Sequence, residues 1–320
     1  MRFTRVAMPA FGYELPPRVV SSAALEDRLA PLYDKLSMSP GRLEMISGVR
    51  ERRFWEPETA PSSKSVLSVR KALAKADIEV GRVGALVHTS VCRDYLEPAT
   101  ASVVAGQLGL SPHAMVFDIS NACLGFMNGL ITVANMIELG QIDVGVVVST
   151  EAGENLVDTT VNYLLEKSKN GVTRRSLRPS FASLTIGSGS VAAVLTKREL
   201  REGPRLLGGA CAQATEHFQL CRSAPDQGFA HGASPLMDTH GEDVLSFGTK
   251  LASQAWEAFT DTLGWDKDTP DQIVCHQVGA SYRKALFGAL ELDIDKDHPT
   301  VEWLGNIGSV SLPISLALAS

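Results

Sequence analysis

Apolar residues recur at helical spacing over positions 64–76, with Val66, Val69, Leu73 and Ala76 on one stripe. A short polar turn follows, and then the β-rich run Gly84-Ala-Leu-Val-His-Thr89. The same layout returns at 244–263, a helix-periodic stretch followed by a polar turn and the run Gln272-Ile-Val-Cys-His276. Helix, short loop and strand therefore occur twice at the same relative place. The first half continues with a buried-looking strand, Val116-Phe-Asp-Ile119, the turn Asn121-Ala-Cys-Leu-Gly125, a largely apolar helix to about Leu139, and a strand over 144–149. The second half answers with 299–304, the turn Gly305-Asn-Ile-Gly308 and an apolar run over 310–319.

This repetition predicts a duplicated α/β fold with an N-terminal half over 1–198 and a C-terminal half over 199–320. Residues 151–183 are polar and lack clear periodicity, so they are expected to form an irregular excursion over the active-site face. The segment IGSGSVAAVL at 186–195 is expected to be a glycine turn entering a buried strand. By the pattern of the first half, on the order of 25–30 further residues of helix and strand should follow the apolar run that ends the chain. No helix-stop signal closes 312–320, so the C-terminal half is expected to be incomplete.

Composition narrows the function classes. A 320-residue chain with 44% hydrophobic residues is globular rather than disordered. Its net charge of −6 leaves no dominant basic face, which argues against nucleic acid as a partner. No apolar run reaches the roughly 18–20 residues that span a bilayer, and the N-terminus lacks the apolar core of a secretory signal. Five cysteines in so long a chain point to reduced thiols rather than a disulfide framework. A soluble cytoplasmic protein is expected.

Cys123 is the candidate nucleophile. It sits between a buried strand and a helix apolar on most of its circumference, a helix that belongs at the centre of a domain. At a helix N-terminus the macrodipole is expected to lower the thiol pKa and favour thiolate. Ala122 and Gly125 would let a substrate carbonyl approach the backbone. The competing account is an inert cysteine filling core space. A cysteine nucleophile also needs a histidine and a polar orienter, usually distant in sequence. His276 ends the second-half strand, and Asn306 lies in the glycine turn that corresponds to the turn holding Cys123. Each has an ordinary reading alone, as a satisfied histidine and a turn former. Together the three occupy equivalent places in a duplicated fold.

Asn121-Ala-Cys-Leu-Gly-Phe126, His276-Gln277 and Gly305-Asn306 together resemble the thiolase superfamily, in its ketoacyl synthase III branch. The resemblance covers nearly the whole chain and includes the early signature Gly48-Val-Arg-Glu-Arg-Arg-Phe54. Within the branch, Arg42-Leu-Glu, Arg53-Phe-Trp55 and Gly187-Ser-Gly189 are most similar to the OleA group, whose members condense two fatty acyl-CoAs. The resemblance implies a thiolase-like layered α/β/α/β/α architecture of two αβαβα halves, with Cys123, His276 and Asn306 catalytic. It further implies a homodimer in which Glu97 reaches into the partner's site as the base; without it, Glu97 is an ordinary solvated loop carboxylate. CoA thioesters are then substrates and no cofactor is expected. The family's C-terminal helix, strands and glycine-rich loop are not found in this sequence.

The resemblance implies a ping-pong Claisen condensation through an acyl-Cys123. The alternative is a decarboxylative ketoacyl synthase III using malonyl-acyl carrier protein, in which Glu97 is a bystander. A third reading, a non-catalytic dimer partner, expects a lost nucleophile, whereas Cys123 is present. Cys211, His217 and Cys221 fit no standard zinc spacing. His88 matches His276 in the repeat but lies inside an apolar strand, and is expected to be core. Arg174, Arg175 and Arg178 form a short basic cluster on the excursion. Trp256 and Phe259 are expected on a buried helix stripe.

Overall fold

The computed structural model describes residues 1–223 and 236–320. In chain order the strands are β1 (Val6–Glu14), β2 (Arg18–Ser21), β3 (Glu51–Phe54), β4 (Ala85–His88), β5 (Met115–Asp118), β6 (Val144–Glu151), β7 (Gly189–Lys197), β8 (Cys221–Ser223) and β9 (Met237–Thr239). The helices are α1 (Ser22–Arg28), α2 (Ala30–Lys35), α3 (Arg42–Ser47), α4 (Pro61–Ala76), α5 (Thr100–Leu108), α6 (Gly125–Glu138), α7 (Glu154–Lys169), α8 (Arg174–Phe181), α9 (Gly241–Leu263), α10 (Ala280–Ala289), α11 (Val301–Leu304) and α12 (Ser311–Ala319).

Five strands form one mixed sheet in the order β1-β7-β6-β4-β5. β4 pairs in parallel with both β5 and β6, while β7 runs antiparallel to β6 and β1. Every residue of β6 is buried, as expected for a central strand covered on both faces, whose sequence is then a continuous apolar run rather than an alternating one. One face packs on α4 and α5 through Val66, Val69, Leu73, Ala101 and Val104. The other packs on α6 and α12 through Phe126, Leu130, Val133, Ile137 and Ile314. Each such side chain contributes about 1.5–3 kcal/mol on full burial. Helix α6 sits unusually close to the sheet: a Cβ on Gly129 would lie 2.7 Å from the Thr89 side chain and 2.8 Å from Val147. The helix that follows Cys123 is thereby fixed against β4 and β6.

Local chemistry explains where the elements begin. Pro61 opens α4, where a missing N–H costs nothing, and the Asp94 carboxylate accepts the Ser62 N–H at 2.9 Å. The Asp118 carboxylate at the end of β5 accepts the N–H groups of Thr100 and Ala101, both at 2.8 Å, and so caps α5.

The predicted helices and strands of the first half are all present, including β7 behind its glycine turn. Residues 151–183 correct the sequence reading: the expected irregular excursion is mostly α7 and α8. Val157, Val161 and Leu164 form a buried stripe at helical spacing, packed against Leu32 and Leu184, and Thr173 with Ser176 forms a capping box for α8.

The second half departs further. Residues 272–276 form no strand, because among the described residues only Ile273 finds a bridging partner, Asp297, and a strand exists only through the neighbours it pairs with. Residues 299–304, placed opposite the strand 116–119 in the repeat, instead contain the helix α11. Among the described residues the expected second central sheet is absent, so one large sheet rather than two carries the core. α9 has the predicted periodicity but no fully buried residue. Trp256 and Phe259 stack on each other at 5.3 Å rather than lining a buried stripe, with Trp265 edge-on to Phe259 at 5.6 Å. Among the described residues no helix is long and apolar enough to cross a membrane.

Candidate active site

Cys123 lies on a sharp turn between β5 and α6. Ala122 is held at φ +43°, a left-handed conformation that non-glycine residues seldom adopt. The turn is closed by the Leu124 N–H to Asn121 O at 2.9 Å and the Gly125 N–H to Ala122 O at 3.2 Å. Gly125 has to be small, since a Cβ there would stand 2.4 Å from Thr89 O. Burial, and then the negative charge of Glu151 and the neighbouring Cys221, push the Cys123 thiol up to about 12. This reverses the expectation of a lowered pKa. The regular turns of α6 begin at Gly125, two residues beyond the sulfur's own residue, and desolvation of the thiolate outweighs the dipole. Cys92 and Cys275 are also pushed up by burial, so the turn and not the titration sets Cys123 apart.

Asn306 is fixed on three sides. Its N–H donates to Thr185 O and its carbonyl accepts the Gly187 N–H, each at 2.9 Å, forming a parallel bridge with Ile186. Its side-chain Oδ1 accepts the Gly308 N–H at 3.0 Å and the Ser311 hydroxyl at 3.4 Å. The oxygen is therefore occupied, and among the described residues Nδ2 remains the available donor. Gly305 adopts φ +69°, and a Cβ there would meet Thr185 O at 2.5 Å. A Cβ on Gly187 would meet Leu304 O at 2.3 Å. The Gly187-Ser-Gly189 and Gly305-Asn306 motifs are thus two sides of one tight backbone contact.

Arg52, from the Gly48–Phe54 signature, stands behind that contact. It is fully buried and donates to Val20 O at 3.2 Å, Ser22 Oγ at 2.9 Å and Leu184 O at 3.1 Å. Burial lowers it to about 10. The signature arginine is in this way a brace for the 183–187 turn.

His276 follows Cys275 at the end of the predicted strand segment. Burial pushes its imidazole down to about 4, and its Nδ1 is inaccessible with no hydrogen-bond partner. An orphaned N–H is less tolerable than an orphaned acceptor, which favours the neutral tautomer with its proton on Nε2, where it could be donated. Gln277 explains the neighbouring motif residue. Its Nε2 donates to Cys275 O at 2.9 Å, while its Oε1 accepts the N–H groups of Thr300 and Val301 at 3.2 and 3.3 Å. Gln277 thereby caps α11, whose C-terminus runs directly into Gly305 and Asn306, and the His276 and Asn306 segments are tied together.

Glu97 is exposed, in the loop between β4 and α5. Among the described residues no hydrogen bond or ion pair joins it to Cys123, His276 or Asn306 of the same chain. Val91, Tyr95 and Leu96 on the same loop also expose large apolar surface.

Glu151 escaped the sequence reading, which placed it at the start of the excursion. It ends β6, is 6% exposed, and accepts the Val91 N–H at 3.0 Å, the Cys92 N–H at 3.1 Å and the Ser309 hydroxyl at 2.7 Å. An acidic residue closing an otherwise apolar strand was the available signal.

Other candidates have structural partners. His88 is core, as expected: it is fully buried and lowered to about 4 by burial. Arg174 donates to the carbonyls of Leu36 and Ser37, and Arg178 pairs with Glu242 at 2.6 Å. His217 packs on the Phe247 ring at 3.8 Å.

Comparison with known proteins adds to this geometry. Residues 117–211 match the 3-oxoacyl-[acyl-carrier-protein] synthase III family. The chain is 41% identical over 323 residues to an acyl-CoA:acyl-CoA alkyltransferase of Shewanella oneidensis, covering all of this chain and 91% of the relative. It is 36% identical over 318 residues to the enzyme of the same name from Xanthomonas campestris, covering 99% and 90%. A β-ketoacyl-[acyl-carrier-protein] synthase III of Bacillus pumilus is 26% identical over 308 residues, covering 95% and 86%. The crystal structure of cerulenin-bound Xanthomonas campestris OleA superposes with a TM-score of 0.92 at 35% identity, covering 99% of this chain and 89% of that one. Xanthomonas campestris OleA has also been crystallised with a histidine, a glutamate or a cysteine replaced.

Proposed function

The chain belongs to the ketoacyl synthase III branch of the thiolase-like condensing acyltransferases, with the acyl-CoA:acyl-CoA alkyltransferases among its relatives, and on that premise we propose that it joins two fatty acyl-CoAs by a non-decarboxylative Claisen condensation. The observation that carries this reading is the match along the full chain to the alkyltransferases, at 41% and 36% identity against 26% for the carrier-protein synthase. Cys123, His276, Asn306 and Glu97 are the residues assigned to the chemistry.

In the first half-reaction the Cys123 sulfur attacks the thioester carbonyl. An Sγ–C bond forms, the C–S bond to CoA breaks, and the thiol proton ends on the departing CoA sulfur. Because the resting thiol is held protonated, proton loss accompanies attack rather than preceding it. In the second half-reaction the carbonyl oxygen of another acyl-CoA receives Nε2–H of His276 and Nδ2–H of Asn306. Two preorganised donors there stabilise the enolate as it forms. Glu97 of a partner subunit in a homodimer takes the α-proton, since an unactivated acyl chain has no carboxylate to lose. The carbanion attacks the acyl-Cys123 carbonyl, the Cys123 sulfur leaves and is reprotonated, and a β-ketoacyl-CoA results. Its hydrolysis gives the β-keto acid. Lipid biosynthesis in the cytoplasm is the setting proposed.

Decarboxylative condensation with malonyl-acyl carrier protein is the second reading, supported by the family match over 117–211. Intact-protein mass spectrometry with myristoyl-CoA separates the assigned roles. Cys123→Ala should carry no acyl group, and Glu97→Gln should hold the acyl group without forming product. An acylated Cys123→Ala protein would refute the nucleophile. Unimpaired condensation by Glu97→Gln would refute the base and favour the decarboxylative reading.

A further inference from the structure

A directional chain of buried hydroxyls converges on Glu151. Ser309 donates to Glu151 Oε1 at 2.7 Å and lies 2.5 Å from Ser149 Oγ. Ser149 is 3.1 Å from Ser90 Oγ, and Ser90 is 3.4 Å from His88 Nε2. Since Ser309 gives its only proton to the carboxylate, Ser149 must donate to Ser309 and Ser90 to Ser149. His88 Nε2–H completes the run. Two backbone N–H groups, from Val91 and Cys92, complete the donor set, so among the described residues the Glu151 carboxylate receives three hydrogen bonds. An acidic side chain is costly to bury in a strand.

What the carboxylate joins is specific. Val91 and Cys92 begin the loop that carries Glu97. Ser309 adjoins Gly308, whose N–H holds Asn306 Oδ1, and a Cβ on Gly308 would lie 3.3 Å from Glu151 Oε1. We propose that Glu151 is a positioning residue that ties the Asn306 turn to the Glu97 loop, so that oxyanion donor and base are set by one anchor. The proposal rests on the condensation reading for those two residues. Both serve the second half-reaction, so loss of the anchor should separate condensation from acylation. A 1 Å misplacement of reacting groups costs about 10²-fold in rate. The carboxylate also lies close enough to Cys123 for its charge to raise that thiol, which gives a readout that needs no substrate.

The test is Glu151→Gln, which keeps the shape and loses the charge, beside Ser309→Ala, which removes the hydroxyl joining Glu151 to Ser149 and keeps the charge. Three quantities are measured: the pH profile of Cys123 alkylation by iodoacetamide, acyl-Cys123 formation from myristoyl-CoA, and product. For Glu151→Gln the alkylation profile should move to lower pH, acylation should stay within a few-fold, and condensation should fall about 100-fold. For Ser309→Ala the alkylation profile should stay in place and condensation should fall about tenfold. Should Glu151→Gln not fold, Ser309→Ala decides alone. Condensation at the wild-type rate in the variant measured, or acylation falling in step with it, overturns the proposal. If the wild-type protein condenses only with malonyl-acyl carrier protein, the non-decarboxylative reading fails, and the same variants assayed on that substrate still decide the role of Glu151.

Discussion

Replacing Gly305 by alanine tests whether the Asn306 turn is set by backbone contact. Gly305 has φ +69° and ψ −166°, a region occupied essentially by glycine alone, where a side chain costs about 1–3 kcal/mol. The new Cβ would also stand 2.5 Å from Thr185 O, about 1 Å inside ordinary van der Waals contact, and Thr185 O is the acceptor for the Asn306 N–H. The turn therefore has to move by roughly the amount that costs about 10²-fold when reacting groups are displaced. The lost backbone hydrogen bond adds about 1 kcal/mol of destabilisation. For a chain of this size each kcal/mol lowers Tm by about 2–4 °C, so a fall of several degrees is expected with the fold retained. The assay is paired: intact mass for acyl-Cys123 and product mass for condensation. The expected result is near-normal acylation with condensation reduced about 100-fold. Gly305→Ala condensing within a few-fold of wild type would refute the reasoning, because the contact would then be elastic.

Acid stability follows from two histidines, His88 fully buried and His276 partly buried. His88 and His276 are both lowered to about 4 by burial, whereas the unfolded chain protonates histidine near 6.5. The unfolded state thus binds more protons between those values, so stability is full above about pH 6.5 and falls as pH drops toward 4. Thermal melts from pH 7.5 to 4.5 should show this decline, less steep in His276→Asn; a flat profile would contradict it. Arg52→Lys keeps a charge but cannot reach Val20 O, Ser22 Oγ and Leu184 O together. Each stranded acceptor costs about 1–3 kcal/mol, so Tm should fall by several degrees, and an unchanged Tm would show that the brace is dispensable.

The first half was legible because its elements are held by contacts local to one sheet. The apolar run of β6 and the stripe of α4 each state their own burial. Cys123, His276 and Asn306 were legible as motif residues, and Gln277 and Gly187 acquire their reason only in three dimensions, as ties to Thr300, Val301 and Leu304. The stripe of Val157, Val161 and Leu164 in α7 is hard to read because polar residues separate its members, Thr160 among them although it is buried. The strand expected at 272–276 fails for a different reason: β-structure depends on a partner strand, and among the described residues this segment has only the isolated bridge from Ile273 to Asp297. Cys123 lies on the expected strand-to-helix turn, but its thiol is pushed up rather than down, since sequence shows the helix start and not the burial. Glu151 carries one sequence signal, an acidic residue closing a strand, but its partners lie about 60 and 158 positions away and are seen only in the fold.

The central claim is that two acyl-CoAs are joined without loss of CO₂. The most direct measurement is product mass and free CoA after incubation with myristoyl-CoA as the only acyl donor. The account predicts a two-chain β-keto product from myristoyl-CoA alone, absent in Cys123→Ala. Product that forms only when malonyl-acyl carrier protein is added, with release of CO₂, would contradict it.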